Sequence, residues 1–193
     1  RNYKNYFNSK LILFKKRLKM NGLVIYDTDI KESKIIKKII KKKNLRSLSI
    51  GSNGNLSIVK HSYLKDIQKV EFILNKKKFN FSSRLIGYVQ IKNLLMAALA
   101  ASSSVPIGDI IKILSKVRNV NGRFEKVSNL KNYSRVILDY SHTPDALKNC
   151  ISCIKSQYGM SKISVVLDVE EKEISQKEKR WVKLQTIFAT KYI

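Results

Sequence analysis

The sequence has 193 residues, of which 44% are hydrophobic, and it carries a formal net charge of +25 at pH 7. This length suits one medium domain or parts of two, and the apolar content excludes a wholly disordered chain. The sequence has no apolar run of about eighteen residues and no segment with the composition of a signal peptide. We therefore expect a cytoplasmic protein with neither a membrane span nor a membrane partner.

The positive charge raises the question of a nucleic-acid partner, because lysine and arginine release counterions from phosphate backbones. Lysine outnumbers arginine 31 to 8, however, and the lysines occur through most of the chain. Arginine is the side chain preferred for forked contacts to phosphates and bases. Lysine, asparagine and isoleucine are also abundant together, as drift in the base composition of a genome would produce. We interpret the charge as background and expect no specific nucleic-acid partner.

The first twenty residues predict an amphipathic helix, with Phe7, Leu11, Phe14 and Leu18 at spacings of three and four. Lys10 lies on or beside the apolar face, between Phe7 and Phe14. From the residues alone, the simplest reading is a lysine that extends its amine to solvent.

The next segment, residues 23–50, predicts strand, helix and strand. Residues 23–26 form a buried strand that leads to Asp29, for which we predict only a place in the turn and helix start. The lysine-rich helix covers about residues 30–43, and its buried stripe is Ile35, Ile36, Ile39 and Ile40. The loop after Ile50, Gly-Ser-Asn-Gly, lacks the Gly-Lys-Ser/Thr of a P-loop.

Residues 55–86 alternate like strands, and Asn75-Lys-Lys-Lys predicts a hairpin turn. An Ala- and Leu-rich helix follows from Tyr88, and Asn93 within it needs a hydrogen-bond partner if it is buried. A second helix covers residues 107–117, and residues 119–122 are the expected domain boundary.

Residues 135–138 predict a strand that places Asp139 at its end, followed by a helix start. Thr143 can cap that helix, with proline and aspartate next in sequence. The helix contains Cys150 and Cys153, whose C-x-x-C spacing fits neither a thioredoxin motif nor a zinc site, so we expect two reduced thiols. We predict a parallel strand at 162–167 and a last helix at 177–192.

Two motifs, G-R-F-E from Gly122 and D-Y-S-H-T-P-D-A-L from Asp139, stand about fifteen residues apart. Together they resemble the start of the C-terminal domain of the Mur ligase family, most closely its MurE members, the UDP-N-acetylmuramoyl-tripeptide synthetases. The resemblance implies an α/β fold in two parts. Residues 1–120 correspond to the second half of a central P-loop-type ATPase domain, and residues 121–193 to the first half of a Rossmann-like open-sheet C-terminal domain.

The resemblance also assigns roles to particular residues. Residues 6–14 are similar to the family pattern Y-x-x-A-K-x-x-L-F, whose lysine is carbamylated and holds Mg²⁺, and this implies the same for Lys10. Asn93 matches the second Asn of L-x-G-x-F-N-x-x-N, which lies near the adenine of ATP. Arg123 and Asp139 match residues that reach the nucleotide across the interdomain cleft. His142 is placed at the same cleft as a catalytic residue, although helix capping or packing fits it equally well.

The implied activity is that of an ADP-forming amide ligase of peptidoglycan synthesis. It would add meso-diaminopimelate or L-lysine to UDP-MurNAc-L-Ala-D-Glu through an acyl phosphate, using ATP and Mg²⁺, as a monomer. The chain spans less than half of a Mur ligase and lacks the Walker loop, so we expect it to be inactive alone.

Two alternatives stay open: a folylpolyglutamate- or cyanophycin-type ligase, and a non-enzymatic basic or decaying fragment. Residues 168–178 contain no glycine where MurE members carry G-x-G-G-D-R-D, which favours decay, whereas the retained Lys10, Asn93, Arg123 and Asp139 favour function.

Overall fold

The computed structural model describes residues 3–129, 135–141, 143–159, 162–170 and 183–191. Numbered in chain order, the helices are Tyr3–Ile12 (α1), Ser33–Lys42 (α2), Tyr88–Ala101 (α3), Ile107–Leu114 (α4) and Pro144–Tyr158 (α5), and Leu13–Arg17 is a π-helical turn. The strands are Leu23–Asp27 (β1), Arg46–Ile50 (β2), Leu56–Leu64 (β3), Ile67–Leu74 (β4), Lys77–Ser83 (β5), Glu125–Asn129 (β6), Arg135–Asp139 (β7), Lys162–Glu170 (β8) and Lys183–Lys191 (β9). Helices and strands are mixed along the chain, and the α/β class is confirmed.

The first sheet has five strands in the order β1-β2-β3-β4-β5. β1 runs parallel to β2, with Leu23 opposite Arg46 and Asp27 opposite Ile50. The carboxyl ends of these two strands therefore meet at one edge of the sheet. The loops that follow them are joined there, since the Thr28 amide donates to the Ile50 carbonyl at 2.8 Å.

The predicted hairpin turn after β4 is confirmed. Asn75 and Lys76 connect β4 to β5, with φ angles of 51° and 64°. Two successive left-handed residues are the signature of a type I′ turn, whose twist matches that of the paired strands. Asparagine adopts this conformation more readily than most residues.

The lysine-rich helix is confirmed as α2, but one member of its predicted buried stripe is wrong. Ile36 is buried, and Ile39 and Ile40 are half-buried against β1 and the π-helical turn. Ile35 is 46% exposed. Each helical residue is rotated by about 100° from the one before it, which turns Ile35 away from the face that Ile36 and Ile40 share.

The second sheet has four strands in the order β6-β7-β9-β8, and each neighbouring pair is antiparallel. The strand predicted at 162–167 is confirmed as part of β8, but its predicted parallel pairing is wrong, because β9 lies between β8 and β7 and pairs with β8 in antiparallel orientation. The helix predicted over 177–192 is wrong for residues 183–191, which form β9; the rest of that range lies outside the described residues. Residues 186–190, Thr-Ile-Phe-Ala-Thr, combine β-branched and aromatic side chains, and β9 pairs on both sides, so strand propensity and pairing prevail over the helical pattern.

The chain divides into two compact units: residues 1–61, 70–81 and 92–114, and residues 62–69, 82–91 and 115–193. The first unit has a core cluster made of Leu11, Val24, Tyr26, Ile36 and Leu45. The second has one made of Ile86, Phe124, Ile137, Cys150, Ile154 and Tyr158. None of the helices in the described ranges is both long enough and apolar enough to cross a membrane.

Candidate functional site

In the second unit, the loop from Gly122 to Glu125 has a conformation that its neighbours fix closely. Gly122 has a φ of +69°, and a Cβ atom there would lie 1.9 Å from the Tyr140 ring, so only glycine fits without movement. The Gly122 amide donates to Glu125 Oε2 at 2.7 Å, and the Gly122 carbonyl accepts from the Tyr140 amide at 2.9 Å. Phe124 also has a positive φ, 47°, which a non-glycine residue keeps only when its surroundings hold it.

Asp139 is one of the groups that hold this loop. It is the last residue of β7, as predicted, and is 4% exposed. Its Oδ2 accepts from the Phe124 amide at 3.0 Å, and its Oδ1 accepts from Ser141 Oγ at 2.5 Å and from Cys150 Sγ at 3.2 Å. The carboxylate therefore ties β7, α5 and the loop at residues 122–125 together.

Arg123 lies between Gly122 and Phe124 in this loop, and its own side chain is exposed. Its Cζ atom is 5.8 Å from the centroid of the Tyr140 ring, within the range of a cation–π contact. From the residues alone, an ion pair to Glu125 or Asp139 would be the simplest expectation. In the structure both carboxylates accept backbone amides of the same loop instead. The loop thus presents an exposed guanidinium group that a phosphate or an adenine ring could contact.

The two cysteines are free thiols, which confirms the predicted reduced state. Burial raises the pKa of Cys150 to about 12, and it also raises the pKa of Cys153. Both thiols are therefore protonated at neutral pH and are poor nucleophiles. Across the described ranges, no group of three or more His, Cys, Asp or Glu side chains could hold a metal ion.

The start of α5 has the predicted capping structure. Thr143 is the N-cap, and its Oγ1 accepts from the Ala146 amide at 3.2 Å; Pro144 begins the helix and Asp145 lies in its first turn. His142, predicted as a catalytic residue, lies outside the described residues.

In the first unit, Lys10 is exposed on α1, with its Nζ atom 5.4 Å from the centroid of the Tyr6 ring. This exposure agrees with the expectation from the residues alone that the Lys10 amine extends to solvent; Leu11 takes the buried position at 2% exposure. Asn93 is also exposed, whereas Ile91 and Leu95 are the buried residues of that part of α3. An exposed amide needs no protein partner and is open to a ligand.

The sequence reasoning missed a polar cluster where β1 and β2 end. The Lys92 ammonium group forms an ion pair with Asp27 and lies 3.9 Å from Asp29. Asp29 Oδ1 accepts from the Ser52 amide at 2.9 Å and from Ser52 Oγ at 2.7 Å, and these bonds hold the pKa of Asp29 below its usual value. Asp29 therefore joins the two strand-end loops, a larger role than the turn and helix start predicted for it. Ligands of open α/β sheets bind at this edge, so two aspartates at and just after the end of a buried strand were a usable signal.

These features define an α/β protein with polar residues gathered at strand ends. The family model described as Mur ligase middle domain matches residues 1–101, and the one described as Mur ligase, glutamate ligase domain matches residues 122–188. The chain therefore belongs to the Mur ligase family.

Comparison with individual proteins shows which members of that family the chain is similar to. The chain is similar to UDP-N-acetylmuramoyl-L-alanyl-D-glutamate–2,6-diaminopimelate ligases. It is 36% identical to that of Rickettsia bellii over 153 residues (79% of this chain, 31% of the relative) and 34% identical to that of Rickettsia montanensis over 164 residues (84% and 33%). It is 46% identical to that of Oceanobacillus iheyensis over 74 residues, which are 38% of this chain and 15% of the relative. The chain thus spans about a third of the Rickettsia relatives.

Solved structures show the same fold at low sequence identity. A diaminopimelate ligase of this type has a TM-score of 0.64 at 19% identity, over 81% of this chain and 33% of its own. MurF from Acinetobacter baumannii has a TM-score of 0.69 at 15% identity, over 81% and 34%. Folylpolyglutamate synthetase from Lactobacillus casei has a TM-score of 0.63 at 15% identity, over 79% and 40%. Because the fold is common to ligases with different substrates, these structures do not separate the substrates.

Proposed function

We propose that the protein carrying this chain is an ATP-dependent ligase that adds 2,6-diaminopimelate to UDP-MurNAc-L-Ala-D-Glu. The supporting observation is the 34–36% identity, over 79–84% of the chain, to relatives named for that reaction. This identity favours diaminopimelate over L-lysine as the amino acid that is added. It also favours a peptidoglycan precursor over a folate as the other substrate. The chain covers about a third of those relatives, so the activity is proposed for the whole protein.

The reaction follows from the chemistry of amide formation. A carboxylate does not react with an amine until it is activated, and transfer of the γ-phosphoryl group of ATP converts it to an acyl phosphate. The amine of diaminopimelate then attacks the acyl carbon and phosphate leaves, which gives the amide, ADP and phosphate. The enzyme must orient ATP and stabilise the charge on the transferring group.

Arg123 is the residue that the described structure best fits to nucleotide binding. It is exposed, it lies on a loop fixed by at least three hydrogen bonds, and its guanidinium group can form two parallel bonds to a phosphate or stack on adenine. Asn93, exposed on α3, fits a contact to the adenine ring.

Asp139 fits a positioning role better than direct contact. The resemblance implies that its carboxylate reaches the nucleotide, yet it is 4% exposed and already accepts three hydrogen bonds. We assign it the task of holding the loop that presents Arg123. A bond to a ribose hydroxyl would require this buried carboxylate to become accessible to the nucleotide.

Lys10 fits the proposed carbamate in one respect, because carbon dioxide can reach its exposed amine. A carbamate would replace a cation by an oxygen-rich anion, which is the type of ligand that Mg²⁺ prefers. When bound, Mg²⁺ would neutralise charge on the transferring phosphoryl group. We assign residues 1–120 to the central domain and residues 121–193 to the C-terminal domain of a cytoplasmic monomer.

The test is ADP formation by the intact protein with UDP-MurNAc-L-Ala-D-Glu and one candidate amino acid at a time. We expect release that depends on meso-diaminopimelate, weak release with L-lysine, and none when a folate and glutamate replace these substrates. Release that depends on folate and glutamate would overturn the proposal. The 193-residue chain alone is the control, and we expect no release from it.

A further inference from the structure

The outer face of α2 concentrates positive charge beyond what the composition of the chain explains. Five of its ten residues are lysines, against 31 lysines in the 193 residues of the chain. All five are exposed, and we call them the lysine face: Lys34, Lys37, Lys38, Lys41 and Lys42. The basic charge is therefore gathered on one helix surface as well as spread along the chain.

The charge of the lysine face is uncompensated in the part of the chain that the structure describes, where none of its five lysines forms an ion pair with a carboxylate. The nearest acidic residue in sequence, Glu32, accepts a hydrogen bond from Tyr3 at 2.7 Å. Several lysine pairs are three or four residues apart, and like charges at that spacing destabilise a helix. An anionic partner would remove this repulsion.

A second basic segment lies beside the lysine face. The Lys43 ammonium group, just after α2, donates to the Lys15 carbonyl of the π-helical turn at 2.7 Å. That turn presents three more exposed basic side chains, those of Lys15, Lys16 and Arg17. Helix and turn both belong to the first unit. The basic surface therefore extends past the C-terminal end of α2.

The chemistry of this surface suits an anionic lipid bilayer better than a nucleic acid. Clusters of four to eight basic residues on an amphipathic helix are typical of proteins that bind anionic headgroups. Ile35 is 46% exposed, one helical turn from Lys38. A headgroup layer accommodates an apolar side chain among lysines, whereas the phosphate backbone of a duplex offers it no partner.

We propose that the lysine face docks peripherally on the headgroups of an anionic bilayer. The apolar side of α2 packs inside the protein through Ile36, Ile39 and Ile40, so the contact is electrostatic and the helix does not insert. This departs from the expectation of no membrane partner, which was based on the lack of a span. The inference is independent of the proposed ligase activity.

The experiment is cosedimentation of the intact protein with vesicles of phosphatidylcholine alone and of an equal mixture with phosphatidylglycerol. We expect binding only to the mixture, and weaker binding as salt screens the charges. The triple variant Lys34→Gln, Lys37→Gln and Lys41→Gln should lose about fivefold in affinity for each lysine, or roughly a hundredfold in all.

The matched control removes the same charge elsewhere, at the exposed residues Lys69, Lys77 and Lys116, each changed to Gln. We expect that variant to bind within about twofold of the parent, because its lysines lie outside the proposed surface. Circular dichroism checks that both variants fold. If the triple variant of the lysine face does not fold, the double variant Lys38→Gln and Lys42→Gln replaces it. Equal losses in both variants, or no binding to the anionic vesicles, would overturn the proposal. So would binding of a nucleic-acid duplex through the lysine face without binding to vesicles.

Discussion

Replacement of Asp139 by alanine tests whether this carboxylate supports the loop at residues 122–125. The change removes the acceptor of three hydrogen bonds at a site that is 4% exposed. Ser141 Oγ and Cys150 Sγ are 2.8 Å apart and can still bond to each other, so the Phe124 amide is the donor left without its partner. An unsatisfied buried donor costs about 1–3 kcal/mol, and the lost packing of the carboxylate adds to this. We expect Asp139→Ala to lower the free energy of unfolding by about 2–4 kcal/mol.

Urea unfolding of the 193-residue chain, followed by circular dichroism, measures this loss. Hydrogen exchange at the Phe124 amide locates it, and exchange there should speed up by at least about tenfold. Asp145→Ala is the matched control, because Asp145 is an exposed carboxylate in the first turn of α5 and should cost less than about 1 kcal/mol. If both variants lose the same small free energy of unfolding and the Phe124 amide exchanges as fast as in the parent, Asp139 does not hold the loop.

Three further predictions concern stability. Gly122→Ala should cost about 1–3 kcal/mol, because of its positive φ and the 1.9 Å approach to the Tyr140 ring; Gly108→Ala, which meets nothing within 4 Å, should be neutral or stabilising in thermal unfolding. For Cys150, burial raises the pKa from 9.0 to about 12, so the unfolded chain releases this proton first and stability falls as pH rises between those values. The free energy of unfolding should therefore fall less steeply with pH in Cys150→Ser than in the parent across that range. An unchanged slope would contradict the assignment. Thr143→Ala removes the cap of α5 and should cost about 1 kcal/mol, which Thr143→Ser should largely restore.

Local signals allowed the region around β7 and α5 to be predicted from sequence. A β-branched strand that ends at Asp139, a capping threonine and a following proline each act within a few residues of the structure they determine. The turn at Asn75 and Lys76 was predictable for the same reason, since asparagine favours a left-handed turn between two alternating strands.

The errors concern features that depend on distant partners. Residues 183–191 carry a pattern compatible with a helix, and their pairing with β7 and β8 makes them a strand. The ion pair between Lys92 and Asp27 joins residues 65 positions apart, and no local rule places them together.

Arg123 is the residue through which we propose that this chain contributes to the nucleotide site of a Mur ligase. The most direct measurement compares the KM for ATP of the intact protein with those of Arg123→Ala and Arg118→Ala. Arg118 is exposed, a few residues before the loop, and serves as the matched control. A charged hydrogen bond contributes about 1.5–3 kcal/mol, so we expect a KM roughly ten- to a hundredfold higher in Arg123→Ala and unchanged in Arg118→Ala. An Arg123→Ala enzyme that binds ATP as the parent does would contradict the proposal.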